Sequence, residues 1–180
     1  RITIGTIFNE SVRLTSMRTR ILKLLITLTL VSTSNFVFAI PAAEREALIA
    51  LYNSTDGENW VENTGWLAEE GSECSWYGID CENDFVVGIA LENNQLNGNI
   101  PAELGQLDEL KFLILFDNQL VGDVPVELAQ LTQLVNLELD GNLLTSCILT
   151  EIGQLTQLQI LNCGDNLLTG TIPAELGLLS

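Results

Sequence analysis

DFVVGIALENNQLNGNIPAELGQL, residues 84–107, and TQLQILNCGDNLLTGTIPAELGLL, residues 156–179, are the first and last of four consecutive 24-residue units. The two between them are 108–131 and 132–155, with no insertion. The sixth position of each unit is Ile89, Leu113, Leu137 or Leu161, and the eighth is Leu91, Leu115, Leu139 or Cys163. Apolar residues two apart predict a short strand with one buried face. A fixed period lets such strands stack in parallel, each unit hiding apolar surface on its neighbours, so the pattern predicts an α/β repeat solenoid. The eleventh position is Asn94, Asn118, Asn142 or Asn166, where the chain turns away from the strand. An inward amide there can both donate to and accept from main-chain groups that the turn leaves unpaired, which predicts a structural ladder. Gly at position 15, with Ile or Val and then Pro at 17 and 18, marks a second bend, followed by a short helical or 3₁₀ stretch.

The run LxxLxxLxLxxNxLxGxIPxxLGxL across residues 84–179 resembles the plant-type leucine-rich repeat. That family includes plant receptor ectodomains, polygalacturonase inhibitors and secreted bacterial proteins. The resemblance implies a right-handed leucine-rich repeat superhelix with short parallel strands and a helical N-terminal cap. The third unit departs from the family pattern, since Ser146-Cys147-Ile148-Leu149 stands where Gly-x-Ile-Pro is expected.

Residues 40–83 read as the cap. Pro41 to Tyr52 has a helical pattern, with Glu44 in the first turn and Leu48, Leu51 and Tyr52 on one face. Asn53-Ser-Thr-Asp-Gly57 breaks it, and Asn53-Ser54-Thr55 also fits the short N-glycosylation pattern. Trp60, Trp66 and Trp76 follow. Such a cluster covers the open end of a solenoid core or stacks on sugar; the similarity of ALIALYNSTDGENWVENTGWL and CSWYGIDC to the family's cap favours the first. Cys74 and Cys81 are expected to form a disulfide in an exported chain, stabilising the cap by roughly 2.5 kcal/mol on the loop-entropy estimate. Cys163 falls on a core position and reads as a small buried hydrophobe, with a Cys147–Cys163 bridge left open.

Charge divides the chain. The net charge is −17, yet five of the seven basic residues precede residue 24. Met17 to Lys23 is basic, Leu24 to Val31 is apolar, and Val37-Phe38-Ala39 ends in small residues. This is the layout of a secretory signal peptide over residues 17–39, with cleavage expected after Ala39 and a retained anchor as the alternative. Residues 1–16 read as upstream sequence or a fragment's edge. Removing residues 1–39 would leave two basic and 23 acidic residues, a net charge of −21. Such a chain is a poor match for nucleic acid or, once the leader is gone, for an anionic membrane. The last residue, Ser180, is the first position of a fifth unit, and no polar closing segment follows, so a C-terminal truncation is expected.

The outward strand positions carry the functional expectation. Phe112, Ile114 and Phe116 all point outward from one strand, followed by Asp117, and an exposed apolar strip of this kind marks a contact surface. Glu138 and Asp140 share the face of the next strand, with Asn162 and Asp165 beyond them. A carboxylate pair could serve glycoside hydrolysis or hold calcium, but nothing in the sequence shows the burial that would keep one of them protonated, and a shallow face excludes water poorly, which favours a solvated acidic strip. The chain is thus expected to be a secreted, non-enzymatic module without cofactor or metal. It would bind a basic or mixed basic and apolar protein or peptide. An ectodomain piece of a longer receptor-like protein and an inhibitor of an extracellular hydrolase are the alternatives.

Overall fold

The computed structural model describes residues 39–146 and 150–178. Residues 1–16, the expected leader up to Phe38, and Cys147 lie outside these residues. Pro41, at φ −50° and ψ 141°, opens helix α1, Ala42–Ser54. Its fixed φ and missing N–H suit the start of a helix. The helix runs two residues beyond the Tyr52 end that the pattern predicts. Thr55 ends it, departing from helical backbone at φ −121° and ψ 25° while its N–H and Oγ1 both donate to Leu51 O, at 3.2 and 2.6 Å. Asp56 then turns the chain in left-handed backbone.

Strands β1 (Ile79–Glu82) and β2 (Phe85–Ala90) form an antiparallel pair. Asn83 and Asp84 between them both have positive φ, as a two-residue hairpin turn requires and as Asn and Asp tolerate. The sheet continues in parallel through β4 (Phe112–Ile114), β6 (Asn136–Glu138) and β8 (Ile160–Asn162). Gly88 pairs with Phe112, Phe112 with Asn136, and Asn136 with Ile160, so each step is one repeat. The chain is therefore an α/β solenoid of the expected class.

A second parallel sheet joins β3 (Asn97–Asn99), β5 (Gln119–Asp123) and β7 (Leu143–Ser146). The sequence pattern reads this stretch only as a bend. Stacking turns the bend into strand, because each extended segment finds backbone partners in the next unit, as when Gln119 N–H donates to Leu96 O at 2.8 Å. Each unit closes with a 3₁₀ turn: Ala102–Gln106, Val126–Gln130, Thr150–Gln154 and Ala174–Leu178. The third turn forms although Leu149 replaces the usual proline, and it buries Ile152.

Ile89, Leu91, Leu96, Leu113, Leu115, Leu120, Leu137, Leu139 and Leu144 are all at most 1% exposed. Burial of each such side chain contributes about 1.5–3 kcal/mol. In the fourth unit Leu167, Leu168 and Ile172 are exposed, since no further unit stacks on them among the described residues.

The tryptophans pack on one another. Trp60 and Trp66 meet edge to face at 4.9 Å between centroids, and Trp66 and Trp76 lie 5.1 Å apart. All three rings are buried, and their N–H groups donate to Thr55 O, Tyr77 O and Ser72 Oγ. No ring face is left for a sugar, so the cluster closes the core. A disulfide ties Cys74, in the 3₁₀ turn Glu73–Ser75, to Cys81 in β1. Cys163 is buried as expected, but its sulfur is disulfide-bonded rather than a thiol.

Two buried carboxylates hold the cap. Glu73 pairs with Arg45 and accepts from Gly71 N–H, while Arg45 also lies 5.3 Å over the Trp76 ring. Glu44 Oε2 accepts from Val86 N–H at 2.8 Å, fixing α1 to β2. Burial pushes the Glu44 carboxyl above its ordinary value of 4.5, opposed by the Val86 bond and assisted by Asp108 and Glu109. A raised carboxyl means that the folded chain holds its proton to higher pH than the unfolded one. Stability from this group is thus complete below the unfolded value and is lost as pH rises through the folded value. Glu44→Gln keeps an acceptor for Val86 and removes the charge. Thermal melts should show the variant melting above the parent at about pH 7 and level with it at about pH 4. A variant that melts lower at neutral pH would contradict this account.

Candidate functional site

The outward face of the five-stranded sheet is an array of cross-strand rows. Asp80, Gly88, Phe112, Asn136 and Ile160 make one row, each paired in register with the next. Ala90, Ile114, Glu138 and Asn162 make the second. Parallel strands lie about 4.8 Å apart, so neighbours within a row are in side-chain contact range. Of the residues singled out from sequence, Ile114, Glu138 and Asn162 are thus aligned directly. Phe112 is exposed at 41%, while Ile114 and Phe116 are half-buried.

Phe116 and Asp140 extend this array beyond the strand ends, where Asp117 N–H donates to Asp140 O at 2.9 Å. Asp117 and Asp165 are placed differently. Both are exposed, with positive φ, in the turn that follows their strands. They border the face rather than form it, and two repeats separate them.

Two features of the face escape the sequence reading. The first is Asn136, 9% exposed and set between Phe112 and Ile160. Its Nδ2 donates to Glu138 Oε1 at 2.7 Å, but its Oδ1 has no partner, and neither has Asp140 Oδ1. Buried acceptors without donors are uncommon and costly. The repeat alignment marks Asn136 as polar between Phe112 and Ile160, but carries no sign that its oxygen lacks a partner. The second feature is an open pocket of about 380 Å³ lined by Gly78, Ile79, Asp80, Gly88, Ile89, Ala90 and Phe112. It exists because unit one carries Gly and Ala at the two outward positions where unit two carries Phe and Ile. Among the described residues no group of three His, Cys, Asp or Glu is placed to hold a metal ion.

The four asparagines do face inward. Asn118 Oδ1 accepts from the N–H groups of Asn94 and Leu96, at 3.0 and 2.9 Å. Its Nδ2 donates to Leu91 O, Leu115 O and Phe116 O. Asn142 and Asn166 repeat the arrangement one and two units on, accepting from Leu120 and Leu144 N–H. Asn94 turns the same chemistry toward the cap, accepting from Glu62 N–H and donating to Glu62 O. Each amide therefore ties its own unit to the preceding segment, and none has a free edge to offer a ligand.

Arg45 and Lys111 are the basic residues among the described ones, and both are engaged, with Glu73 and Glu82. No unpaired cation therefore offsets Glu138 and Asp140.

Residues 157–179 match the family model for the Leucine Rich Repeat. The chain is similar to the LRR receptor-like serine/threonine-protein kinase FEI 2 of Arabidopsis thaliana, 36% identical over 39% of this chain and 12% of that protein. Among solved structures it is similar to a chain in the BIR3–SERK2 complex from Arabidopsis thaliana. There the identity is 33%, the TM-score is 0.63, and 74% of each chain is covered. It is also similar to the plant peptide hormone receptor RGFR1 in complex with RGF2, at 36% identity and a TM-score of 0.50, over 59% of this chain and 20% of that one. The chain spans between 6% and 34% of the length of the curated relatives it matches, so the kinase likeness covers only a small part of those proteins. Among the described residues no helix is long and apolar enough to cross a membrane.

Proposed function

The chain belongs to the plant-type leucine-rich repeat proteins, and from that premise we propose that it is a secreted or cell-surface recognition module. It binds a protein or peptide through the outward strand face. The observation that carries this reading is the strip of Phe112, Ile114 and Phe116 running beside Glu138 and Asp140. Three apolar side chains on a sheet face gain free energy when a partner covers them. The adjacent carboxylates select partners that bring lysine or arginine. Similar proteins are known in complex, in the BIR3–SERK2 pair and in the peptide hormone receptor RGFR1 with RGF2, which supports the same use here.

The test is a binding screen of the full chain against extracellular proteins and peptides, followed by comparison of Phe116→Ala with the parent. Loss of an apolar anchor near the centre of an interface is worth about 2 kcal/mol, or roughly 30-fold in Kd. High salt should weaken binding further through the acidic strip. Binding that survives both the substitution and high salt would place the interface elsewhere.

A second reading has its own support. The identity to receptor-like kinases over their repeats favours an ectodomain of a longer receptor-like protein. The strand face would serve it in the same way, and the complete reading frame separates the two.

A further inference from the structure

Gly88 sits between two side chains that line the same pocket. It pairs with Asp80 of β1 on one side and with Phe112 of β4 on the other. Having no side chain of its own, it leaves a slot of about 380 Å³ between a carboxylate and an aromatic ring. Gly78 and Ala90 extend the floor by one row, where Ala90 N–H donates to Gly78 O at 2.8 Å. Larger residues would not keep this slot. A Cβ on Gly88 would stand 3.2 Å from Asp80 Cβ, and one on Gly78 would overlap Ala90 O. Gly78 also has a φ of 76°, which L side chains adopt only under strain.

The acidic residues of β1 differ in what already neutralises them. Glu82, two residues along the strand from Asp80, is engaged by Lys111 at 2.6 Å. Asp80 is exposed, and among the described residues its carboxylate makes no ion pair and accepts no hydrogen bond. Arg45, the other described basic residue, is held by Glu73. Across the slot the Phe112 side chain is 41% exposed. The slot thus sets a free negative charge opposite an uncovered ring, in a chain of net charge −17.

We infer that the Asp80–Gly88–Phe112 slot takes the side chain of one arginine of a protein or peptide partner, its guanidinium paired with Asp80 and its plane against Phe112. A guanidinium is flat, permanently charged and weakly hydrated. It can donate two bonds to one carboxylate while stacking on an aromatic ring. A lysine ammonium is compact and strongly hydrated and offers no plane to the ring, so the slot prefers arginine. Its volume lies at the low end for ligand pockets, roughly 300–1,000 Å³, which suits one side chain entering from a partner's surface. The inference rests on the strand face being the binding surface. It adds an anchor at the β1 end of that face, supplied in part by a strand that precedes the first repeat.

The probes are three acetylated and amidated tripeptides, with arginine, lysine or citrulline between two glycines. Citrulline keeps the shape of arginine and lacks its charge. Each is titrated into the full chain at matched ionic strength, with the backbone amide NMR signals of Gly88 and Ala90 as the readout. The arginine peptide should saturate these shifts in the millimolar range. The lysine peptide should bind about threefold more weakly, and the citrulline peptide about tenfold. Asp80→Asn should bring the arginine and citrulline peptides level, with the thermal midpoint unchanged, since Asp80 has no bond to lose. Phe112→Leu should weaken the arginine peptide about threefold. Equal affinity for arginine and citrulline in the parent, or an arginine preference that persists in Asp80→Asn, overturns the inference. So does the absence of any shift at Gly88 and Ala90 up to tens of millimolar peptide. The strand-face reading is separate from these outcomes and fails only if a captured partner's affinity survives Phe116→Ala and high salt.

Discussion

Asn118→Ala is expected to lower the melting temperature by about 10 °C, because the substitution leaves three buried main-chain groups without a partner at once. The N–H groups of Asn94 and Leu96 lose their acceptor and the Leu91 carbonyl its donor, while the Leu115 carbonyl keeps Asn142 Nδ2. An orphaned buried polar group costs about 1–3 kcal/mol, and some relief comes from water entering the cavity. The sum is roughly 3–5 kcal/mol, at the high end for a single substitution. Asn118 sits mid-solenoid, so the damage falls between the first two units and should uncouple the cap from the later repeats. Asn166→Ala provides the contrast. Asn166 makes the same kinds of bond but is only half-buried, so its removal should cost less than half as much. Equal effects at the two positions in paired melts would show that the ladder's energetics are not set by burial.

Gly98→Ala is expected to cost about 3 kcal/mol, and Gly170→Ala about 1 kcal/mol, although both occupy position 15 of their units. Both glycines have positive φ, 136° and 95°. An L side chain is strained there in either case, which accounts for the smaller figure. At Gly98 there is a second cost. A Cβ would overlap the carbonyl oxygen of Ser54, at the end of α1, and crowd the Thr55 backbone. Around Gly170 the space is open. Asn97 N–H also donates to Thr55 O at 2.9 Å in this joint, so the chain there has little freedom to move aside. Chemical denaturation of the two variants measures the difference directly. A Gly98→Ala no worse than Gly170→Ala would mean that the joint between α1 and β3 yields easily.

Much of the architecture was legible before any coordinates. The recurrence of Leu at positions 6, 8 and 13 is a local pattern with a single economical solution, parallel strands stacked one repeat apart. The structure places those side chains inside in the first three units, as the pattern demands, while Leu168 of the fourth is exposed. The inward asparagines follow from the same logic, since a turn that repeats must satisfy the same main-chain groups each time. The Cys74–Cys81 bridge and the closing of the core by tryptophan were likewise readable, the first from proximity in sequence and the second from similarity to the family's cap.

The second sheet was not legible. Each segment Asn97–Asn99, Gln119–Asp123 or Leu143–Ser146 is too short and too mixed in character to signal strand alone. It becomes strand only when a neighbouring unit supplies the partner backbone. The candidate site divides in the same way. Outward Phe112, Ile114 and Phe116 could be listed by counting positions. The unpartnered oxygens of Asn136 and Asp140 could not, because a lone amide or carboxylate at an outward position looks solvated until its neighbours are known. Nor could the pocket beside Phe112, which depends on β1 returning next to β2.

By itself, the sequence determined the repeat period, the inward side chains and the charge imbalance, since each is a property of order along the chain. Tertiary structure alone decided what equivalent positions are worth. Gly98 and Gly170, Asn118 and Asn166, and Gly88 and Asn136 each share a place in the repeat, yet they differ in what stands beside them. The reason is that burial, close approach and unmet hydrogen bonds are relations between units, and a solenoid gives its first, middle and last units different neighbours.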